Sequence, residues 1–188
     1  MSEEVMPQDS PNAPSAEPTA DRSLRQVISR LAVAMDRELS PGTVAALRKL
    51  DPSSFGNPAF WHVVTQYLGD QLPAGGEGRD AAERRWAAVL CGMATTAGLN
   101  RPGRSAGEAL ADAGYSELRF DRLLRATGDR LHVGLRAAGH FLASKGEHAD
   151  WTDLARLALT EGSERTESAR RTLARTYYRA KARADQND

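Results

Sequence analysis

Apolar residues recur at intervals of three and four along most of this chain, and almost nowhere at intervals of two. Leu24, Val27, Ile28, Leu31 and Met35 form one such stripe. Ser40-Pro41-Gly42 supplies an N-cap and a first-turn proline for a short helix with Val44, Leu47 and Leu50 inward, which Asp51-Pro52 ends. Asn57-Pro58 opens the next, with Phe60, Val63, Val64, Tyr67 and Leu68 inward. The clearest core helix is residues 80–98, where Trp86, Val89, Leu90, Met93 and Ala97 share a narrow arc. Ser105 opens a short helix that Gly114 closes, and residues 129–145 turn Leu131, Leu135, Ala138 and Leu142 inward. Asp150 caps a helix through Leu159, and Asp153 is a first-turn acid there. Ser163 or Thr166 opens the last helix, with Ala169, Leu173, Tyr177 and Ala180 aligned. Residues 72–79 read as a loop and residues 100–105 (NRPGRS) as a turn; no stretch reads as a strand. The expectation is an all-α bundle of about eight or nine helices.

Residues 116–126 (SELRFDRLLRA) stand apart. At about 100° per residue, Phe120, Leu123 and Leu124 fall on one face and Arg119, Arg122 and Arg125 on the opposite one. Glu117 and Asp121 lie to one side, so the arginines form a ribbon that neighbouring acids do not neutralise. Arg119 and Arg125 are separated by about 9 Å of helix rise, enough to meet more than one backbone phosphate. A merely solvated charged face is the competing reading.

Charge sharpens the picture. The whole chain is neutral, with 25 basic and 25 acidic residues, but residues 1–21 carry five acids and no base. They read as a disordered acidic tail ahead of one helical, moderately basic domain spanning residues 22–185. Arginine outnumbers lysine 22 to 3, which suits bidentate phosphate contacts and equally a GC-rich genome. Basic residues lie outside the apolar stripes at Arg48-Lys49, Arg84-Arg85, Arg101 and Arg104, Arg119 to Arg125, and Arg171 to Arg183. No apolar stretch is long enough to span a membrane, the first residues do not form a signal peptide, and a single cysteine, Cys91, precludes an internal disulfide. A cytoplasmic setting is expected.

Catalytic chemistry has little to stand on. His132 and His140 are eight residues apart on a helix, too far to share a metal, and no HExxH or GxSxG motif is present. The glycines of residues 72–79 have no following GKS or GKT, which argues against a phosphate-cradling loop. No enzyme activity, metal or cofactor is expected. Exposed aromatics for base stacking are not evident, since Phe60, Trp86, Phe120 and Tyr177 sit on apolar stripes. Binding that follows backbone charge fits best. The alternative is a sequence-specific helix-turn-helix regulator built on residues 109–124, although its recognition helix offers no Asn or Gln for adenine.

TVAALRKLDP (43–52), FGNPAFWHVV (55–64), GEALADAGYSELRFDRLLRA (107–126), WTDLARL (151–157) and ARRTLARTYYRA (169–180), in this order, resemble the small subunit of the type I-E CRISPR surveillance complex Cascade, the CasB family. The resemblance implies a non-catalytic helical protein. It would sit as two copies along the crRNA backbone subunits, with the large subunit also a partner. There it would help hold crRNA, target DNA and the displaced strand with little sequence preference. It also implies nucleic-acid contacts at Arg48, Lys49, Arg119 and Arg125, and at Arg136. The helical wheel adds Arg122, and the NRPGRS turn adds Arg101 and Arg104 as the weakest candidates.

Overall fold

The computed structural model describes residues 19–52 and 56–186. The expected tail therefore lies largely outside the described residues, and Thr19–Asp21 belong to the first helix rather than to the tail. Among the described residues the chain forms α1 (Thr19–Val33), α2 (Pro41–Arg48), α3 (Pro58–Val63), α4 (Glu77–Thr95), β1 (Asn100–Ser105), α5 (Ala106–Asp112), α6 (Glu117–Arg125), α7 (Gly128–Lys145), β2 (Ala149–Asp150), α8 (Thr152–Leu159) and α9 (Arg165–Asp185). α1 and α3 each run on into one wider π-helical turn, Ala34–Glu38 and Val64–Leu68.

Several helix starts follow the local chemistry read from sequence. Ser40 Oγ accepts from Thr43 N, Asn57 Oδ1 from Ala59 N, and Ser105 Oγ from Gly107 N. Asp150 Oδ1 accepts from Thr152 N at the mouth of α8. Ser116 occupies the N-cap of α6 but makes no capping bond with its side chain.

The all-α expectation holds, and only the reading of residues 100–105 as a turn is corrected, by two short parallel strands. Asn100 pairs with Ala149 and Ser105 with Asp150, so six residues of β1 bulge against two of β2. Gly103, at φ +82°, folds the bulge back so that its N–H donates to Asp150 Oδ2 at 3.0 Å. Two paired positions are too few to leave an alternating pattern.

The core is built where small residues let helices close. Trp151, 1% exposed, lies between α4 and α7, where a Cβ on Gly92 would run into its ring and one on Gly139 would come within 3.3 Å of it. Its indole N–H donates to Thr96 Oγ1 at 2.7 Å, which satisfies the one polar atom this ring buries. α5 lies equally tightly on α9, because a Cβ on Gly107 would meet the Leu173 carbonyl at 2.6 Å. No helix among the described residues is long and apolar enough to cross a membrane.

Candidate nucleic-acid interface

α6 is fixed by its apolar face. Phe120 is fully buried and stacks on Tyr177 with ring centroids 3.8 Å apart and planes 9° from parallel. Burial first, then the Glu117 carboxylate, push the Tyr177 phenol up to about 12. It therefore keeps its proton and donates to the Tyr115 carbonyl. Leu123 closes the other contact, since Gly134 of α7 leaves just the room its methyl needs. With that face locked, Arg119, Arg122 and Arg125 are all exposed.

These three arginines line one groove of about 600 Å³ between α6 and α7, and Arg130 of α7 joins them. Arg119 lies close enough to Tyr115 to oppose the rise that burial gives that phenol's pKa. The groove is not free of acid. Arg125 pairs with Asp121 at 2.8 Å, which corrects the expectation of an unneutralised ribbon. The arginine side chain is 81% exposed, so the pair is worth at most about 1 kcal/mol.

A second hollow of about 390 Å³ brings Lys49 and Arg136 together beside Cys91 and His132, with Asp51 and Asp129 also on its wall. Burial pushes the Cys91 thiol pKa up and the Arg136 charge opposes it. Burial likewise pushes His132 down, against Glu161 and Asp129, and Arg85 and Arg84 add to the fall. Both ring nitrogens of His132 are buried without a hydrogen-bond partner. This hollow and the α6–α7 groove share Val133, an exposed residue of α7. Lys49 and Arg136, and Arg130, Arg122, Arg119 and Arg125, therefore border two depressions that adjoin at Val133.

The remaining expected residues lie elsewhere or have other work. Arg48 Nε donates to the Ala94 carbonyl at 2.8 Å, and its own carbonyl accepts from Cys91 Sγ at 3.3 Å, so it ties α2 to the end of α4. Arg104 reaches Asp112 at 3.1 Å and Glu147 at 2.6 Å. Burial works against its charge, and these two carboxylates outweigh burial and raise its pKa. Arg101 is exposed on the β1 bulge and lines neither depression. Arg130 escaped the sequence reading although it stands at the third position of α7, next to the arginine helix. Phe60, Trp86, Phe120 and Tyr177 are buried as expected, while Trp61 and Tyr178, 38% and 46% exposed, are exposed aromatics that the sequence did not make evident.

Residues 43–178 match the sequence profile of CRISPR-associated protein Cse2. The chain belongs to the Cse2 family. No curated protein matches it on sequence. Among solved structures it is similar to a chain of E. coli Cascade bound to a PAM-containing dsDNA target, at 23% identity and a TM-score of 0.62, over 82% of this chain and 96% of that one. CasB from Thermus thermophilus superposes at 22% identity and a TM-score of 0.63, over 85% and 98% of the two chains. CasB from Thermobifida fusca does so at 17% and 0.61, over 84% and 97%. These likenesses show a shared helical fold, and the profile match bears out the CasB/Cse2 resemblance read from sequence. They lend nothing to the sequence-specific regulator.

Proposed function

We propose that this chain is a non-catalytic subunit of a type I-E Cascade complex. It grips the nucleic-acid backbone through the face bordered by Lys49, Arg136, Arg130, Arg122, Arg119 and Arg125. The observation that carries this reading is the arginine-lined α6–α7 groove, which meets at Val133 the hollow where Lys49 and Arg136 stand beside Asp51 and Asp129. Six cations of fixed spacing on packed helices neutralise phosphates and release their counterions without reading a base.

In an R-loop this matters because exchange of the DNA duplex for a crRNA–target hybrid is nearly balanced. A few backbone contacts to the hybrid or to the displaced strand shift that balance toward the open state. Membership of the Cse2 family supports crRNA, target DNA, the Cascade backbone and large subunits and a second copy of the chain as partners. Lys49 and Arg136 occupy the hollow nearest α2, and Arg119, Arg122 and Arg125 the longer groove.

The test is a titration of single-stranded DNA and RNA of unrelated sequences with the purified chain and with the Arg119→Glu/Arg122→Glu/Arg125→Glu variant. The wild-type chain is expected to bind all sequences within a few-fold of each other. The variant is expected to lose at least about tenfold for each arginine, one charge-assisted hydrogen bond apiece, while keeping its helical circular dichroism. Equal binding by the two proteins would remove α6 from the interface. A preference of about a thousandfold for one palindrome would restore the regulator.

A further inference from the structure

A third depression, of about 570 Å³, opens between the first turns of α4, the end of α8 and the start of α9. Arg85, Arg156 and Arg165 line it, and among the described residues no carboxylate does. Thr160 and Ser168 add hydroxyl groups, and Trp86, 2% exposed, helps to form a firm floor. Arg156 is held in place by Asp153 at 2.9 Å. Arg85 extends toward the α8–α9 turn, with a terminal nitrogen 3.9 Å from where a Cβ on Gly162 would lie. The Thr160 hydroxyl already donates to the Arg156 carbonyl, so three guanidinium groups and the Ser168 hydroxyl remain to meet the tetrahedral oxygens of a phosphate.

This depression connects to the face already described through α9. Arg165 and Ser168 lie on its wall, while Glu167, Arg170 and Arg171 of the same turns line a shallow neighbour that also contains Arg125. Arg125 in turn lines the α6–α7 groove. Along α9 the step from Arg165 to Arg171 is about 9 Å. The acids on this path are Asp121 and Glu167, and each belongs to an exposed pair, with Arg125 and with Arg171 at 3.2 Å.

We propose that the Arg85–Arg156–Arg165 depression is a second phosphate-binding station, which takes the backbone of the same nucleic-acid strand after it leaves the α6–α7 groove and crosses α9. The proposal rests on the reading given under Proposed function and extends its footprint. A short strand fills the groove alone. A longer strand reaches both stations and gains affinity from the second without a new association event.

The experiment compares single-stranded DNA of about 8 and about 30 nucleotides on the full chain, on Arg85→Gln/Arg165→Gln, and on Ser168→Glu. The last variant places a negative charge on the wall without touching an arginine, near a helix N-terminus that tolerates an acid. Thermal melts accompany each. Both variants are expected to bind the short strand like wild type. On the long strand, Arg85→Gln/Arg165→Gln should lose about tenfold or more, with the salt slope lower by about 1.4, and Ser168→Glu should weaken binding in the same direction. Inorganic phosphate at matched concentration should compete weakly, which separates a backbone station from a site for the free anion; tight capture of free phosphate would overturn the assignment to a strand. Normal long-strand binding by both variants would overturn the second station while leaving the groove intact, whether or not the variants lost a protein partner instead. A wild-type chain that binds neither length would overturn the groove itself, and the station with it.

Discussion

Arg119 on α6 and Arg104 on the β1 bulge are the same residue type, and both looked like cations available to a phosphate. Arg119 stands exposed at the wall of a groove beside Arg122 and Arg130. Arg104 is held by two carboxylates and lines neither depression. The difference lies in where the partners come from. The acids near Arg119 sit on its own helix, where the 3.6-residue period assigns each a face. Arg104 finds Glu147 only because β1 pairs with β2, a contact across 43 positions that no local periodicity encodes. A cation is free to bind when folding brings it other cations, and structural when folding brings it acids.

Charge reversal at each position breaks the comparison most sharply. Arg119→Glu is expected to weaken single-strand binding at least about tenfold with little change in melting temperature, because the side chain is exposed and its helix is held by Phe120 and Leu123. Arg104→Glu is expected to do the reverse. It sets a third carboxylate against Asp112 and Glu147 and should cost about 2–3 kcal/mol of stability, a fall in melting temperature of several degrees, with binding unaltered. Chemical denaturation and fluorescence anisotropy on the same samples separate the two effects.

Arg48→Ala tests whether an arginine implicated by resemblance belongs with Arg104. Its bond to the Ala94 carbonyl should be worth about 1–2 kcal/mol of stability, and the salt dependence of binding should stay as in wild type. A lower salt slope would return Arg48 to the interface. A smaller change is expected at Asp121. Its pair with Arg125 competes with a phosphate, so Asp121→Asn should tighten binding by about two- to fivefold at low salt, and the gain should vanish as salt rises.

The smallest effect concerns pH. Burial lowers the folded-state pKa of His132 from its ordinary 6.5. The unfolded chain therefore takes up this proton first as pH falls. The stability that neutral His132 contributes is complete above about pH 6.5 and is lost as pH drops through the lower folded-state value. His132→Gln should flatten that part of the stability–pH curve, seen as a smaller gap between melts at neutral and mildly acidic pH. An unchanged gap would mean that His132 titrates alike in both states.

Most of the fold was legible because its signals are local. The Trp86 stripe, the capping residues Ser40, Asn57 and Ser105, and the left-handed Gly114 all depend on a few adjacent positions, and the structure uses each as read. The α6 ribbon was legible for the same reason, except that Asp121 reaches Arg125 across one helical turn, a local pair that the helical wheel placed to one side. The rest depends on pairings that a single helical wheel does not contain. β1 and β2 share only two paired positions, Arg48 is tied to a carbonyl 46 residues away, and Arg130 becomes part of the groove only when α7 folds back along α6. The depression of Arg85, Arg156 and Arg165 draws on three helices, and of the three only Arg85 stood out in the sequence.

The most direct test of the central claim is the salt dependence of single-strand binding, measured for the wild-type chain and for one-at-a-time Gln substitutions of Lys49, Arg119, Arg122, Arg125, Arg130 and Arg136, with Arg48→Gln and Arg104→Gln beside them. If the first six side chains each meet a phosphate, every substitution lowers the slope of log K against log salt by about 0.7, and the last two leave it untouched. An equal slope change at all eight positions, or none at any, would contradict a defined phosphate track on the α2, α6 and α7 face.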